Sequence, residues 1–296
     1  MSNLARPGQE PASRGTPEIV IALGAGGARG LAHLVALEAL DDLGVKPALV
    51  TGSSIGAIMG AAWAAGMPAR ALKAYSLALF KDRARVVSRL LGARVGKLAD
   101  LFQRGLGNPV LVDGEQILDL FWPEIVPDRF EDLKIPFVSI ATDYHLRSEV
   151  ALASGPLTPA VAASMAIPGL IRPVTIGGRV LIDGGAVNPL PYDRLSAPHR
   201  IVIAVDAGGA ATISETRVPE PLEAMFGASQ ILMGAIVQRT IERHPPDLLI
   251  RPPVEAFGGL DFFRAAEIFA ACDPMKDDIK RRLSALIEAR QLSGAP

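Results

Sequence analysis

Residues 18–65, EIVIALGAGGARGLAHLVALEALDDLGVKPALVTGSSIGAIMGAAWAA, decide the fold. Two short apolar runs, Glu18–Leu23 and Ala48–Thr51, have the length and the aliphatic, β-branched content of buried strands. A glycine-rich turn and a segment of helical spacing follow each run, Leu31–Leu43 after the first and Ser54–Ala65 after the second. A repeated order of strand, loop and helix is typical of a parallel sheet flanked by helices. This stretch therefore predicts an α/β fold.

The rest of the chain continues the same pattern, with no internal repeat and no interior linker. The further strands are predicted at Phe137–Thr142, Glu149–Ala153, Val174–Ile176, Arg179–Ile182, Arg200–Asp206 and Asp247–Arg251, and the further helices at Thr158–Ala166, Leu222–Arg243 and Phe262–Arg290 with a break at Pro274. Gly177-Gly178 indicates a hairpin turn between two of these strands. We expect one domain over residues 18–292 with a mainly parallel central sheet, preceded by a flexible tail over residues 1–17.

Composition excludes several classes of protein. The 296 residues include 30 Lys and Arg against 31 Asp and Glu, a net charge of −1, whereas nucleic-acid binders usually carry a basic excess. The single cysteine excludes a disulfide framework or a cysteine-rich zinc site within one chain, and no metal or cofactor is expected. The N-terminal residues lack the apolar core of a signal peptide, and the longest uncharged apolar run, Ile55–Met67, is too short to span a bilayer. We expect a protein of the cytoplasm or of the inner membrane face.

Gly52-Ser53-Ser54-Ile55-Gly56 matches the pattern G-x-S-x-G between a predicted strand and a predicted helix. A nucleophile elbow requires this placement, because the flanking glycines permit a sharp turn that lifts the serine hydroxyl to the start of the helix. The positive end of that helix favours negative charge developing nearby. The alternative is an ordinary strand-to-helix turn in which Ser54 serves only as the N-cap. Both interpretations stay open on this motif alone.

The turn after the first predicted strand has the sequence Gly24-Ala25-Gly26-Gly27-Ala28-Arg29-Gly30. Besides a plain tight turn, it allows three interpretations. A dinucleotide site is disfavoured, because Arg29 stands where G-x-G-x-x-G requires its third glycine. A P-loop is excluded by the missing Gly-Lys-Ser/Thr. Consecutive glycines at a helix start can instead expose backbone N–H groups to an oxyanion, with Gly26 and Gly27 as the favoured donors.

Asp183-Gly184-Gly185 follows a predicted strand, where the glycines allow the carboxylate to approach another group closely. The alternative is a common Asx-turn aspartate. Of the four histidines, His33 lies in an amphipathic helix and is interpreted as a packing residue. His145, His199 and His244 fall in a polar turn, before a strand and at a helix end. A Ser-His-Asp triad therefore has no support in the sequence.

These motifs together, in the order GAGGARG, GSSIG and DGG, resemble the patatin-like phospholipases. Further similar stretches are Ala141–Asp143, Ala163–Gly169, Asp183–Pro191 and DLLIRP, so that the resemblance covers roughly residues 18 to 292. It implies a lipid acyl hydrolase in which Ser54 is the nucleophile and Asp183 the base. It also implies an oxyanion hole within Gly26, Gly27, Ala28 and Arg29, with Arg29 holding the loop or meeting a substrate anion.

One position departs from the family pattern, since bacterial members usually have glycine where this chain has Ala25. A methyl group restricts the backbone there but leaves the N–H groups in place. Three function classes stay open: a phospholipase or lysophospholipase, a thioesterase or polyester depolymerase using the same dyad, and a regulatory or scaffold protein that keeps the fold.

Lys81–Arg104 is a basic segment with seven basic and two acidic residues. Its apolar residues Val87, Leu91, Val95, Leu98 and Phe102 can share one helical face. Such a helix is compatible with peripheral contact to an anionic membrane. The commoner alternative is a core helix whose basic face meets water.

Overall fold

A computed structural model describes residues 17–92, 112–197, 199–209, 218 and 221–293. The strands are β1 (Glu18–Leu23), β2 (Leu49–Ser53), β3 (Phe137–Asp143), β4 (Ser148–Leu152), β5 (Val174–Ile176), β6 (Arg179–Asp183), β7 (Arg200–Val205) and β8 (Leu248–Ile250). The α-helices are α1 (His33–Asp42), α2 (Ile55–Ala64), α3 (Ala69–Lys81), α4 (Arg83–Gly92), α5 (Gly114–Phe121), α6 (Leu157–Ser164), α7 (Pro221–Arg243), α8 (Ala265–Cys272) and α9 (Lys276–Ser293).

The eight strands form one sheet in the order β5-β6-β3-β2-β1-β7-β8, with β4 paired to β3 outside this path. The central strands β3, β2, β1, β7 and β8 are parallel to their neighbours. The antiparallel pairs are β3 with β4, β3 with β6, and β5 with β6. The predicted α/β fold, with a mainly parallel central sheet flanked by helices, is confirmed. The carboxyl ends of the parallel strands therefore meet at one edge, where such sheets bind ligands.

Strand β1 shows that both faces of the sheet are covered. Ile19, Ile21 and Leu23 belong to one buried cluster, which also contains residues of α1, α2, α8 and α9. Val20 and Ala22 belong to a second cluster, on the opposite face, with Tyr192 and Val237. Because successive residues of a strand point to opposite faces, the sheet is the middle layer of three. This explains why the sequences of the central strands are continuous apolar runs.

The glycine-rich turn after β1 differs from the prediction in one detail. A 3₁₀-helix over Gly27–Ala32 precedes α1, so the α-helix predicted from Leu31 begins at His33. The predicted hairpin is present, with Gly177 and Gly178 at φ 56° and 77° between β5 and β6. Residues 1–16 of the predicted tail lie outside the described residues, and the domain limits 18 and 292 stay predictions.

The basic segment Lys81–Arg104 is described as far as Gly92, and residues 93–104 lie outside the described residues. Asp82 interrupts the helix between α3 and α4. On α4, Val87 and Leu91 are 42% and 50% exposed, so this part of the predicted apolar face does not pack in the core. Contact between this segment and a membrane stays a prediction. No helix within the described ranges is both long enough and apolar enough to traverse a bilayer.

Candidate active site

Two strands meet end to end along one edge of β3. Ser53, the last residue of β2, pairs with Ile140, and Asp183, the last residue of β6, pairs with the next residue, Ala141. Strand β4 occupies the other edge of β3. Since β2 runs parallel to β3 and β6 antiparallel, the two strands run toward each other and end at adjacent positions. Ser54, which follows β2, is thereby brought beside Asp183.

Ser54 adopts a strained backbone conformation at this junction, with φ 56° and ψ −124°. Residues other than glycine rarely adopt such a positive φ, at a cost of about 1–3 kcal/mol. The turn is also too tight for side chains at its flanks: a Cβ atom on Gly52 would lie 2.4 Å from the carbonyl oxygen of Gly56. A Cβ on Gly56 would lie 2.1 Å from the carbonyl oxygen of Leu23. This geometry is that of a nucleophile elbow.

The hydroxyl of Ser54 makes no N-cap hydrogen bond with α2. It donates instead to Oδ2 of Asp183, at 2.6 Å. The interpretation of Ser54 as only an N-cap is therefore wrong for this structure. Both residues are buried, with 6% and 7% of their surface exposed, so the contact is shielded from water.

The carboxylate of Asp183 uses its two oxygens differently. Oδ1 accepts a hydrogen bond from the Gly185 N–H at 2.7 Å, which is the Asx-turn interaction, and Oδ2 faces Ser54. Burial raises the pKa of Asp183 from 3.8 to about 6, and the hydrogen bonds from Ser54 and Gly185 oppose that shift. Gly184 is needed for close approach, because a Cβ there would lie 2.2 Å from the carbonyl oxygen of Ile140. The result is a carboxylate that is more basic than an ordinary aspartate.

Ser164, the last residue of α6, forms hydrogen bonds that hold the backbone of the elbow. Its hydroxyl accepts a hydrogen bond from the Ser54 N–H at 2.9 Å and donates to the carbonyl oxygen of Ile140 at 2.5 Å. The sequence motifs gave no role to this residue, although the stretch that contains it, Ala163–Gly169, is part of the resemblance. The signal that could have found it is a hydroxyl at the end of the apolar run Ala160–Ala163.

The glycine-rich turn lies directly beside the elbow, since β1 and β2 are neighbouring strands and Leu23 pairs with Gly52. A Cβ on Gly30 would lie 2.2 Å from Cγ2 of Ile55, so the two turns are in close contact. Gly27 has φ 60°, a conformation that favours glycine. Within the described part of the chain, the N–H groups of Gly26 and Gly27 donate no hydrogen bond, and they are free to bind a ligand.

One predicted oxyanion donor is corrected by the structure. The N–H of Ala28 donates to the carbonyl oxygen of Gly259 at 2.8 Å, so it is not available to a substrate. The contact depends on Gly27 being glycine, because a Cβ there would lie 2.1 Å from the same carbonyl oxygen. Gly259 comes from a distant part of the chain, and for this reason the local motif gave no indication of the bond.

The side chain of Arg29 packs against the turn after β7. A Cβ on Gly209 would lie 2.7 Å from its Nη1 atom. Burial lowers the pKa of Arg29, and Asp206, Asp261 and Glu255 oppose the shift through their charges. Of the two roles predicted for Arg29, these contacts favour holding the loop over meeting a substrate anion.

Ala25 fits the loop without strain, since its φ is not positive and its N–H donates to the carbonyl oxygen of Pro189 at 2.7 Å. The departure from the family's usual glycine is therefore tolerated by the backbone. Gly24, one residue earlier, donates its N–H to the carbonyl oxygen of Val205 at 3.0 Å. The loop is thus attached through its backbone to the segment after β6 and to the end of β7.

None of the four histidines contacts the Ser54–Asp183 pair. His33 is fully buried, and its Nε2 lies 2.8 Å from the carbonyl oxygen of Gly24. Burial lowers its pKa to about 4, so the ring is neutral and donates this bond to the glycine-rich turn. The remaining three histidines are exposed. The packing interpretation of His33 agrees with these contacts.

Comparison with known proteins links this arrangement to a family. A family model described as patatin-like phospholipase matches residues 21–196. An uncharacterized NTE family protein of Mycobacterium tuberculosis is 34% identical over 196 residues, covering 66% of this chain and 50% of that protein. The lysophospholipase NTE1 of Yarrowia lipolytica is 27% identical over 279 residues, covering 85% of this chain and 18% of that protein. This chain thus spans half or less of the length of these relatives.

Solved structures were also matched. VipD from Legionella pneumophila aligns with 90% of this chain and 67% of its own, with a TM-score of 0.48 and 14% sequence identity.

Proposed function

The chain belongs to the patatin-like phospholipase family, and from this membership and the contact between Ser54 and Asp183 we propose that it is a lipid acyl hydrolase. The reaction is of the phospholipase A or lysophospholipase type, in which a carboxylic ester is cleaved through an acyl-enzyme. The name of the Yarrowia lipolytica relative, a lysophospholipase, supports this substrate class.

The observation that carries the proposal is the 2.6 Å hydrogen bond from the Ser54 hydroxyl to Asp183 at a strained elbow. A serine hydroxyl is a weak nucleophile until a base removes its proton. The distance is within the range for direct proton transfer, and no intermediate histidine is required. Ser54 and Asp183 therefore suffice as a catalytic dyad.

In the first half of the reaction, Oγ of Ser54 attacks the carbonyl carbon of the ester while its proton passes to Oδ2 of Asp183. The tetrahedral intermediate carries a negative charge on the former carbonyl oxygen. When the intermediate collapses, the alcohol leaves with the proton from Asp183, and the acyl group remains on Ser54.

In the second half, water attacks the acyl-enzyme and gives its proton to Asp183. A second tetrahedral intermediate collapses, the proton returns to Oγ of Ser54, and the fatty acid is released. Asp183 thus acts in turn as base and acid. A pKa of about 6 suits both roles near neutral pH, because the group is ionised in the resting enzyme and still able to hold a proton.

The N–H groups of Gly26 and Gly27 are the proposed oxyanion donors. They are supported by their free hydrogen-bonding capacity and by the contact of their loop with the elbow. Preorganised donors of this kind contribute roughly 3–4 kcal/mol of transition-state stabilisation each.

We place the protein in the cytoplasm or at the inner membrane face, where contact through Lys81–Arg104 would bring the site to its substrate.

The test is hydrolysis of a lysophospholipid and of p-nitrophenyl butyrate by matched serine variants. Ser54→Ala should lower kcat on both by about 10⁴-fold or more, because the nucleophile is absent. Ser53→Ala is the control, since this neighbouring hydroxyl is buried and has no hydrogen-bond partner among the described residues. It should retain most of the activity. Near-native rates for Ser54→Ala would place the nucleophile elsewhere.

A further inference from the structure

A separate cavity of about 220 Å³ lies at the carboxyl ends of β1, β7 and β8, beside the glycine-rich turn. Its walls include Ala25 and Gly26 from that turn, Asp206 after β7, Arg251 and Glu255 after β8, and Met233 of α7. Neither Ser54 nor Asp183 lines it. Parallel α/β sheets bind ligands at this edge, so the cavity is in the expected place for a part of the substrate.

Contacts connect this cavity to the dyad. Gly26 is both a wall of the cavity and a proposed oxyanion donor. On another side, a Cβ on Gly185 would lie 2.6 Å from Sδ of Met233, and the Gly185 N–H binds Asp183. An ester whose carbonyl oxygen lies at Gly26 can therefore direct one of its two substituents into the cavity.

The charges of the walls favour the polar substituent over the acyl chain. Arg251 is half exposed and holds Asp206 through a 3.1 Å contact from its Nε atom. Glu255 is partly buried and, among the described residues, makes neither a hydrogen bond nor a salt bridge, although its charge acts on Arg29. A partly buried carboxylate that makes no hydrogen bond is available to a cationic ligand. The rest of the lining is mostly apolar, but an acyl chain packed against these charged groups would remove them from water without offering a hydrogen bond.

The size of the cavity leads to the same conclusion. Pockets for drug-sized ligands have volumes of roughly 300–1,000 Å³. A cavity of about 220 Å³ suits a smaller group. The guanidinium of Arg251 can bind an anion, and the carboxylate of Glu255 can bind a cation. Together the two charges are complementary to those of a zwitterion.

We propose that this cavity binds the phospho-ammonium head group of the lipid, with the phosphate at Arg251 and the ammonium at Glu255. The ester would then lie at Ser54, and the acyl chain would leave the site in the other direction. This inference rests on the proposed lipid hydrolysis and adds a selection among head groups: zwitterionic lipids are preferred to anionic ones.

The experiment compares Glu255→Gln with Glu288→Gln, an exposed glutamate of α9 that serves as a control for the same charge change. Each is assayed on lysophosphatidylcholine, on lysophosphatidylglycerol with the same acyl chain, and on p-nitrophenyl butyrate. Glu255→Gln should lower kcat/KM for the choline lipid about tenfold, the effect of losing one interaction with a charged group. The rates on the other two substrates, and all rates of Glu288→Gln, should stay unchanged. A choline-to-glycerol ratio altered less than twofold would overturn the inference.

A binding measurement separates this inference from the proposed function. Glycerophosphocholine has the head group but no acyl ester, so its binding to the Ser54→Ala variant can be followed by calorimetry without turnover. Its Kd should rise about tenfold when Glu255→Gln is added. Failure to bind, or equal binding by both proteins, would refute the head-group site. Binding as expected, with no hydrolysis of any lipid by the unaltered protein, would refute only the proposed function.

Discussion

Replacing Asp183 by asparagine should stabilise the protein while abolishing its activity. The carboxylate is buried, and this burial raises its pKa from 3.8 to about 6. A shift of about two units corresponds to roughly 3 kcal/mol of unfavourable free energy for the ionised folded state. Asparagine has no charge to bury, and it keeps both contacts: its Oδ1 accepts from the Gly185 N–H and its Nδ2 can donate to Oγ of Ser54.

The effect depends on pH in a defined direction. Well above pH 6 both the folded and the unfolded protein are ionised at Asp183, so the folded protein carries the full penalty and the variant shows its full gain. Below pH 3.8 the group is neutral in both states and the gain disappears. At pH 8 the variant should be more stable by about 3 kcal/mol, and at pH 5 by about half as much. For a chain of 296 residues the larger value corresponds to a rise in Tm of about 5 °C.

The assay is thermal unfolding of both proteins at pH 8 and pH 5, with Asp143→Asn as the control. Asp143 is also buried, but one of its oxygens accepts two backbone hydrogen bonds, from His145 at 3.0 Å and Leu146 at 2.9 Å. Asparagine can accept the same two bonds, and no gain in Tm is expected. An Asp183→Asn variant no more stable than the unaltered protein at pH 8, or with a gain independent of pH, would refute the view that Asp183 is a desolvated carboxylate.

Two further predictions concern activity. The kcat/KM for a neutral ester should be constant above about pH 7 and fall about tenfold per pH unit below pH 6, because ionised Asp183 is required and its pKa is about 6. A pH profile that is flat down to pH 5 would contradict this. Ser164→Ala removes the acceptor of the Ser54 N–H and should lower kcat about tenfold or more, with little change in KM. Ser164→Thr keeps the hydroxyl and should restore part of kcat, whereas equal losses of kcat in both variants would indicate a packing role.

The structural features that could be predicted from the sequence are those that depend on residues close together along the chain. Apolar runs and helical spacing place the predicted strands and helices within a few residues of their observed limits, because burial on both faces of the sheet requires those patterns. The helices α3 and α5 were not predicted. The glycines at 52 and 56 indicate the elbow, because no larger residue fits its tight turn. Ser54 and Asp183 follow from their motifs and from the family resemblance.

The features that the sequence did not predict depend on contacts between distant parts of the chain. Ala28 is excluded as an oxyanion donor by Gly259, more than 200 residues later in the sequence. Ser164 acts on Ser54 only because β3 brings α6 beneath the elbow. The meeting of β2 and β6 at adjacent positions of β3 likewise depends on strand register, which local patterns do not specify.

Covalent labelling by a fluorophosphonate probe, with the modified residue mapped by mass spectrometry, tests the catalytic dyad most directly. One label per chain is expected, on Oγ of Ser54, with labelling abolished in Ser54→Ala and strongly slowed in Asp183→Asn at pH 7.5. Ser53→Ala should label at the rate of the unaltered protein. A label on any other residue, or undiminished labelling of the Ser54→Ala variant, would contradict the assignment of Ser54 as the nucleophile.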